Sequence, residues 1–258
     1  MIFKELFRYR ELLRTNVKKE IRGKYKASFL GILWSFINPL LQVLVYAIVF
    51  PYLLKDTGGD YIVYLVTGII PWTFFAQSIN QCTSTIKANA GIIKKVYFPR
   101  EILPLSVIIS GMINFFISCL IILLFCICFK IGISWHIIFV PLIVFIQAII
   151  SLGLGLMLSA LTAYIQDLEY IINFILMLAF YGSPIVYKLE TFGIHSKIAY
   201  LVNLNPMTIL ISAYRDCFIY HQLPNLGKLL IIFIFALFVT IIGIIIFKKL
   251  EKGFAEQL

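Results

Sequence analysis

Uncharged runs of about 18 residues or more, the length that marks a membrane-crossing helix, recur along this chain at residues 27–54, 61–86, 102–129, near 137 to near 163, 170–187 and 229–247. A backbone placed in hydrocarbon must satisfy its own hydrogen-bonding groups, and a helix does this within one segment. The expected fold class is therefore an all-α polytopic membrane protein with six transmembrane helices. Composition agrees, because 61% of the 258 residues are hydrophobic and 13% charged, whereas a soluble domain is about 45–50% apolar. Disordered, collagen-like and disulfide-stapled secreted chains need more polar, Gly-rich or Cys-rich sequences and are excluded.

A seventh apolar stretch, 198–214, is interrupted by Asn205 and Pro206. The helix after the proline has room for about 14 residues before His221, or about 21 Å, against a hydrocarbon core of about 30 Å. It also carries Arg215 and Asp216. Residues 198–220 are thus expected to form short re-entrant or interfacial helices just before the last span.

Charge sets the orientation. The chain has 22 Lys and Arg against 12 Asp and Glu, a net charge of +10, which in a soluble protein would suggest nucleic acid. Here the basic residues gather beside the apolar runs, a pattern that fits membrane orientation and anionic lipid and argues for no nucleic acid partner. Nine lie in residues 1–26, four in 87–101 and three after Phe247, leaving six for all other connections. Both termini are expected to be cytoplasmic, which requires an even number of crossings and places Cys217 on the outer side.

Residues 1–26 carry Leu6, Tyr9, Leu13, Val17 and Ile21 three or four apart, with Arg8, Arg14, Lys18 and Arg22 around them. This predicts a basic amphipathic helix on the cytoplasmic membrane surface. The same segment lacks the apolar core of a cleavable signal, so the first span should act as an uncleaved insertion signal. With no internal repeat or linker, residues 1–258 read as one domain.

The chain offers little chemistry of its own. No G-x-x-x-x-G-K-[ST] loop is present to cradle ATP: of the two Gly-Lys pairs, Gly23-Lys24 is followed by tyrosine and Gly227-Lys228 by leucine. The six runs hold no Asp, Glu, Lys or Arg, groups that ion-coupled carriers use to bind the coupling ion. A carrier built this way borrows its energy. His136, His195 and His221 read as loop histidines, and Cys82, Cys119, Cys126, Cys128 and Cys217 as small apolar packing residues without zinc spacing. No catalytic residue, metal site or cofactor is expected on this chain.

Neutral polarity does occur within the spans. Ser106, Ser110, Asn114 and Ser118 repeat every four residues, with Gly111 beside them, and Ser151, Gly155 and Ser159 do the same in the fourth span. Such faces serve either close helix packing or a polar passage. Trp72, Phe74, Phe75, Tyr181 and Tyr187 form an interfacial aromatic belt, and sugar rings also stack on such faces. The loop of residues 89–101, cytoplasmic by charge, mixes Ile92, Ile93, Val96, Tyr97 and Phe98 with Lys94, Lys95 and Arg100. Large apolar groups on a loop suit docking into a groove of a partner, with the cations setting its orientation.

Five motif groups, taken together and in order, are specific. They are Lys24-Tyr25-Lys26 with Leu30 to Trp34 and Asn38-Pro39-Leu40; Gly68-Ile-Ile-Pro-Trp72; Ile93-Lys-Lys-Val-Tyr-Phe-Pro-Arg-Glu-Ile-Leu-Pro104; Ser183-Pro-Ile-Val-Tyr187; and Asn205-Pro-Met-Thr208 with Tyr214-Arg-Asp216. With them the chain resembles, over nearly its whole length, the permeases of type-2 ABC exporters that move lipid-linked polysaccharides such as O-antigen, capsule-like glycans and wall teichoic acid.

The resemblance implies a half-transporter of the bacterial cytoplasmic (inner) membrane. It would form a homodimer around a channel and work with two copies of an ABC ATPase that binds ATP and Mg. It also implies that residues 87–101 form a cytoplasmic coupling helix, with Gly91, Ile92, Ile93, Lys94, Lys95, Val96, Tyr97, Phe98, Pro99, Arg100 and Glu101 as the ATPase contact. Asn205, Pro206, Arg215 and Asp216 would belong to an outer gate. Read from the residues, Arg22, Lys24 and Lys26 could attract a lipid diphosphate, and Ser106, Ser110 and Asn114 could line the substrate path. Where relatives often have Arg-Asp after the fourth span, this chain has Gln166 and Asp167, so an ion pair built on that arginine is not carried over. Two rival readings are a small-hydrophobic-drug exporter on the same scaffold and a membrane glycosyl- or acyltransferase using Asp167 and Glu169.

Overall fold

The computed structural model describes residues 7–25, 34–54, 60–188 and 197–257, and among them every regular element is helical. In chain order these are α1 (Arg10–Tyr25), α2 (Trp34–Leu54), α3 (Tyr61–Ala88), α4 (Ala90–Ile93), α5 (Ile102–Cys128), α6 (Val140–Thr162), α7 (Leu168–Tyr181), α8 (Lys197–Leu204), α9 (Pro206–Phe218), α10 (Leu226–Leu250) and α11 (Phe254–Gln257). A 3-10 turn at Trp135–Phe139 leads into α6, and another at Glu251–Gly253 follows α10.

Among the described residues, four helical stretches are long and apolar enough to cross a membrane: Tyr61–Ala88, Ile102–Cys128, Trp135–Thr162 and Leu226–Gly253. Their limits follow local chemistry. α5 ends where Lys130 and Gly132 take positive φ, 59° and 87°, so that the amides of Ile131 and Gly132 both close on the Cys126 carbonyl at 2.9 and 3.2 Å. α10 starts at Asn225, whose side chain accepts from the Lys228 amide at 3.0 Å, and ends with Lys248 and Lys249 against the negative end of the helix dipole.

The other two expected spans are shorter. Ile37–Phe50 within α2 and Leu168–Tyr181 are apolar helices below that length, and residues 27–33 lie outside the described part. The fifth span was expected to run to Tyr187, but α7 stops at Tyr181 with Gly182 as its cap. The cause is local: Pro184 has no amide to donate and disfavours helix at Ser183. The helix covers about 21 Å, and residues 182–188 continue without regular structure.

α3 is the centre of the bundle, packed against α2, α5, α6, α7 and α9. α10 lies along α6 in the most extensive contact of the molecule. There a Cβ on Gly243 would collide with the Gly153 backbone, one on Gly153 would lie 2.7 Å from the Thr240 backbone, and Thr240 donates across to the Ile149 carbonyl at 2.9 Å. This is the close small-residue packing that membrane helices use in place of a hydrophobic drive. Ser151, Gly155 and Ser159 belong to the same mode, since both hydroxyls are buried and bonded to carbonyls of their own helix.

The half-buried side of α1 and its lead-in holds Tyr9, Leu13, Val17 and Ile21 of the expected stripe together with Leu12 and Asn16. Asn16 is buried, Tyr9 and Leu12 pack on an apolar cluster, and Lys19 donates to Asn89 at 2.8 Å. The helix is seated on the protein, along α5; Leu6 lies outside the described residues.

Candidate functional site

The motifs at residues 183–187 and 205–216 converge. Residues 182–187 are irregular backbone in an apolar bundle, so their carbonyls need donors. Asn205 Nδ2 reaches the Gly182 carbonyl at 3.4 Å and the Ser183 hydroxyl at 2.9 Å. The guanidinium of Arg215 donates to Pro184 at 2.6 Å, to Ile185 at 3.1 Å and to the Tyr64 carbonyl at 3.2 Å. Tyr61 donates to the Val186 carbonyl at 2.7 Å, and Tyr64 to that of Tyr187 at 2.9 Å.

Arg215 is buried, and among the described residues no carboxylate pairs with it. Its charge is met by the carbonyl dipoles and by the face of Tyr64, whose ring centre lies 3.4 Å from the guanidinium carbon. Gly68 makes this possible: a Cβ there would stand 2.8 Å from Arg215 Nη2 and 3.3 Å from the Ile185 Cα. One residue earlier, Tyr214 donates to Gln147 at 2.8 Å, and Gln147 in turn donates to the Pro71 carbonyl at 2.8 Å.

Of the four expected gate residues, Asn205 and Arg215 therefore act together on residues 182–187. Pro206 opens α9 in the position where its missing amide costs nothing, while Asn205 caps that helix through the Met207 amide at 3.0 Å. Asp216 belongs elsewhere: it accepts from Gln222 Nε2 at 2.6 Å, and burial pushes its carboxyl above the ordinary range. Cys217 is fully buried, so its thiol would not report on the side of the membrane at which it lies.

The loop of residues 89–101 divides in two. Ile92, Val96 and Tyr97 are exposed, Tyr97 to 89%, along with Gly91, Lys94 and Lys95. Ile93 and Phe98, expected among the outward anchors, are instead buried in the chain's own cluster with Ile86, Leu103, Leu156, Phe247 and Phe254. The turn at Pro99 reverses the chain into α5, and the alternation of side chains across it sends Phe98 inward and Tyr97 outward. Arg100 and Glu101 are likewise taken internally. Arg100 donates to the Glu251 carbonyl and lies over the Phe254 ring at 5.7 Å, and Glu101, buried, is ion-paired with Lys248. Glu169, the candidate acid of a transferase, is paired with Lys87 at 3.2 Å.

The expected path residues also separate. Ser106 and Ser110 are buried and bonded to carbonyls of their own helix at 2.8 and 2.9 Å, so they pack. Asn114 does border open space, a cleft of about 320 Å³ between α2, α3 and α5 shared with Trp34, Asn38, Thr73, Gln77 and Gln81. Sequence reasoning missed the α3 side of this cleft, although Thr73, Gln77 and Gln81 stand four apart and so share a helix face. A second cleft, of about 280 Å³, lies on the α7 side of α2 and is bordered by Gln42, Tyr46, Trp72, Asn80, Asn173 and Tyr181. Arg22 is exposed on α1, the Lys24 side chain and Lys26 lie outside what is described, and His195 does too.

The family model for ABC-2 type transporters matches residues 11–219, an interval that holds α2, the loop of residues 89–101 and the Asn205 and Arg215 bonds to residues 182–187. The chain belongs to the ABC-2 type transporter family. Among relatives of this ABC-2 type transporter, it is 31% identical over 257 residues to the O-antigen export system permease protein RfbA of Myxococcus xanthus, covering 100% of this chain and 99% of the relative. An RfbA of Klebsiella pneumoniae is 34% identical over 250 residues, with 96% and 95% covered. The polysialic acid transport protein KpsM of Escherichia coli is 23% identical over 242 residues, with 91% and 92% covered. An ABC-2 type transporter is a membrane transport subunit, in keeping with the apolar helices.

Proposed function

We propose that this chain is the permease subunit of an ATP-driven exporter that carries a lipid-linked polysaccharide across the bacterial cytoplasmic membrane. The observation that carries this reading is the full-length likeness to two O-antigen export permeases at 31% and 34% identity. In this reading the protein is a homodimer of six-span subunits with both termini cytoplasmic. α2, 21 residues long, covers about 31 Å by itself, the shorter α7 completes its crossing with residues 182–188, and the side-chain donors to residues 182–187 make irregular backbone tolerable at that depth.

Two ATPase subunits bind ATP and Mg and dock on the cytoplasmic loop. Ile92, Val96 and Tyr97 supply the apolar contact and Lys94 and Lys95 the orientation, for these are the side chains the fold leaves outside. Ile93, Phe98, Arg100 and Glu101 form the seat that ties the loop to α5 and the α10 end. On the outer side, α8 and α9 cap the passage, with Arg215 and Asn205 holding residues 182–187 in place. Arg22, Lys24 and Lys26 draw the lipid diphosphate to the cytoplasmic face.

Depleting the chain in its host tests the reading. Lipid-linked glycan should accumulate on the cytoplasmic side and disappear from the surface. Unchanged surface glycan, with new sensitivity to a small hydrophobic toxin, would replace this reading by drug export.

A further inference from the structure

We propose that the cleft between α2, α3 and α5 is a binding site for an uncharged, hydroxyl-rich chain, so that the glycan handled here is neutral along its sugars. The inference rests on the export reading and adds the chemical class of the cargo. α3 is a membrane-spanning helix, yet it turns Thr73, Gln77 and Gln81 into the cleft, and α2 and α5 add Asn38 and Asn114 opposite. Amides in hydrocarbon are unfavourable without partners, so this wall needs water or a polar ligand against it.

The floor points the same way. Ser78 borders the cleft, is 2% exposed, and its hydroxyl has no hydrogen-bond partner among the described residues. Gly111 keeps that floor open, since a Cβ there would lie 2.9 Å from both Phe74 and the Ser78 hydroxyl.

The kind of polarity decides the ligand. Amides and hydroxyls both donate and accept, as sugar hydroxyls do, and the Trp34 indole at the rim offers a face on which a pyranose ring can lie. None of the described residues bordering the cleft, or the second cleft across α2, is charged. A polyanionic chain would enter either one without a cation to meet its carboxylates or phosphates, a penalty that neutral sugars avoid.

The test uses the purified full-length chain in lipid nanodiscs, with maltoheptaose and a heptamer of galacturonic acid as neutral and acidic probes followed by saturation-transfer NMR. The neutral heptamer should bind with little salt dependence, and the acidic one about ten-fold or more weaker at low salt. Gln77→Leu with Gln81→Leu should abolish the neutral signal, Gln81→Asn should keep most of it, and Gln81→Lys should raise the acidic probe above the neutral one. Equal binding of the two heptamers by the wild-type chain, no binding of either, or a neutral signal that survives the double leucine variant would each overturn the proposal. Loss of surface glycan on depletion, alongside any of those results, would leave the export reading standing and remove only this one.

Discussion

The two irregular connections beside α3 are built in opposite ways. At residues 182–187, the carbonyls of Gly182, Pro184, Ile185, Val186 and Tyr187 are each taken by a side chain from α3 or from the Asn205 to Arg215 segment. At the other end of α3, the loop after it keeps Ile93 and Phe98 inside and leaves Ile92, Val96 and Tyr97 uncovered. The first is closed by its own chain, and the second is half closed. Exposure of large apolar groups thus means different things in one molecule: toward lipid it is ordinary, and on a charged loop it is the surface proposed above for a partner.

Breaking either connection from the inside should destabilise the fold most. Phe98→Ala empties part of the cluster with Phe247 and Phe254 and should lower stability by about 3–5 kcal/mol, read as an early loss of monodisperse protein on heating in detergent. Arg215→Met removes one donor from each of three carbonyls at once and should cost about 3 kcal/mol by the same measure, and Arg215→Lys should not restore it, because an ammonium lacks the planar fork. Gly68→Ala places its methyl against the guanidinium and the Ile185 backbone, where overpacking costs about 1–3 kcal/mol.

Smaller changes sharpen the contrast. Tyr61→Phe removes one donor from the Val186 carbonyl and should cost about 1 kcal/mol in thermal stability while leaving ATPase association unchanged. Tyr97→Ala should do the reverse, moving stability by less than about 0.5 kcal/mol but weakening association with the ATPase by about 1–2 kcal/mol in a pull-down titration. A Tyr97→Ala protein that binds the ATPase normally would show that the uncovered half of the loop is not the contact surface.

Much of this was legible from periodicity and charge. The limits of α3, α5 and α10 fall within about three residues of those expected, because long uncharged runs bounded by Lys, Asn and Gly leave a helix little choice. The break at Asn205-Pro206 was equally plain, since an N-cap followed by proline is a local signal. What sequence could not supply was which face of a segment turns inward. Tyr97 and Phe98 look alike on paper, and only the turn into α5 separates them. Ser106 and Asn114 sit on one helix face, yet one returns its hydroxyl to its own backbone and the other borders a cleft that α2 and α3 must arrive to complete. Arg215 looked like a gate charge, whereas its hydrogen bonds make it a fastener for a segment some 30 residues away in sequence.

The Gly153 and Gly243 contact has a consequence for biosynthesis. α10 is made after the helices it packs on, and until it arrives the groove on α6 at Gly153 and the cluster awaiting Phe247 and Phe254 are both unfilled. Glu101 and Arg100 meanwhile lack Lys248 and the Glu251 carbonyl. The loop can therefore take its final seat only after α10 and the residues to Phe254 have been made, and a chain stalled before α10 would present an unfinished loop. In the reading proposed above, the order of synthesis alone would keep such incomplete subunits from recruiting an ATPase.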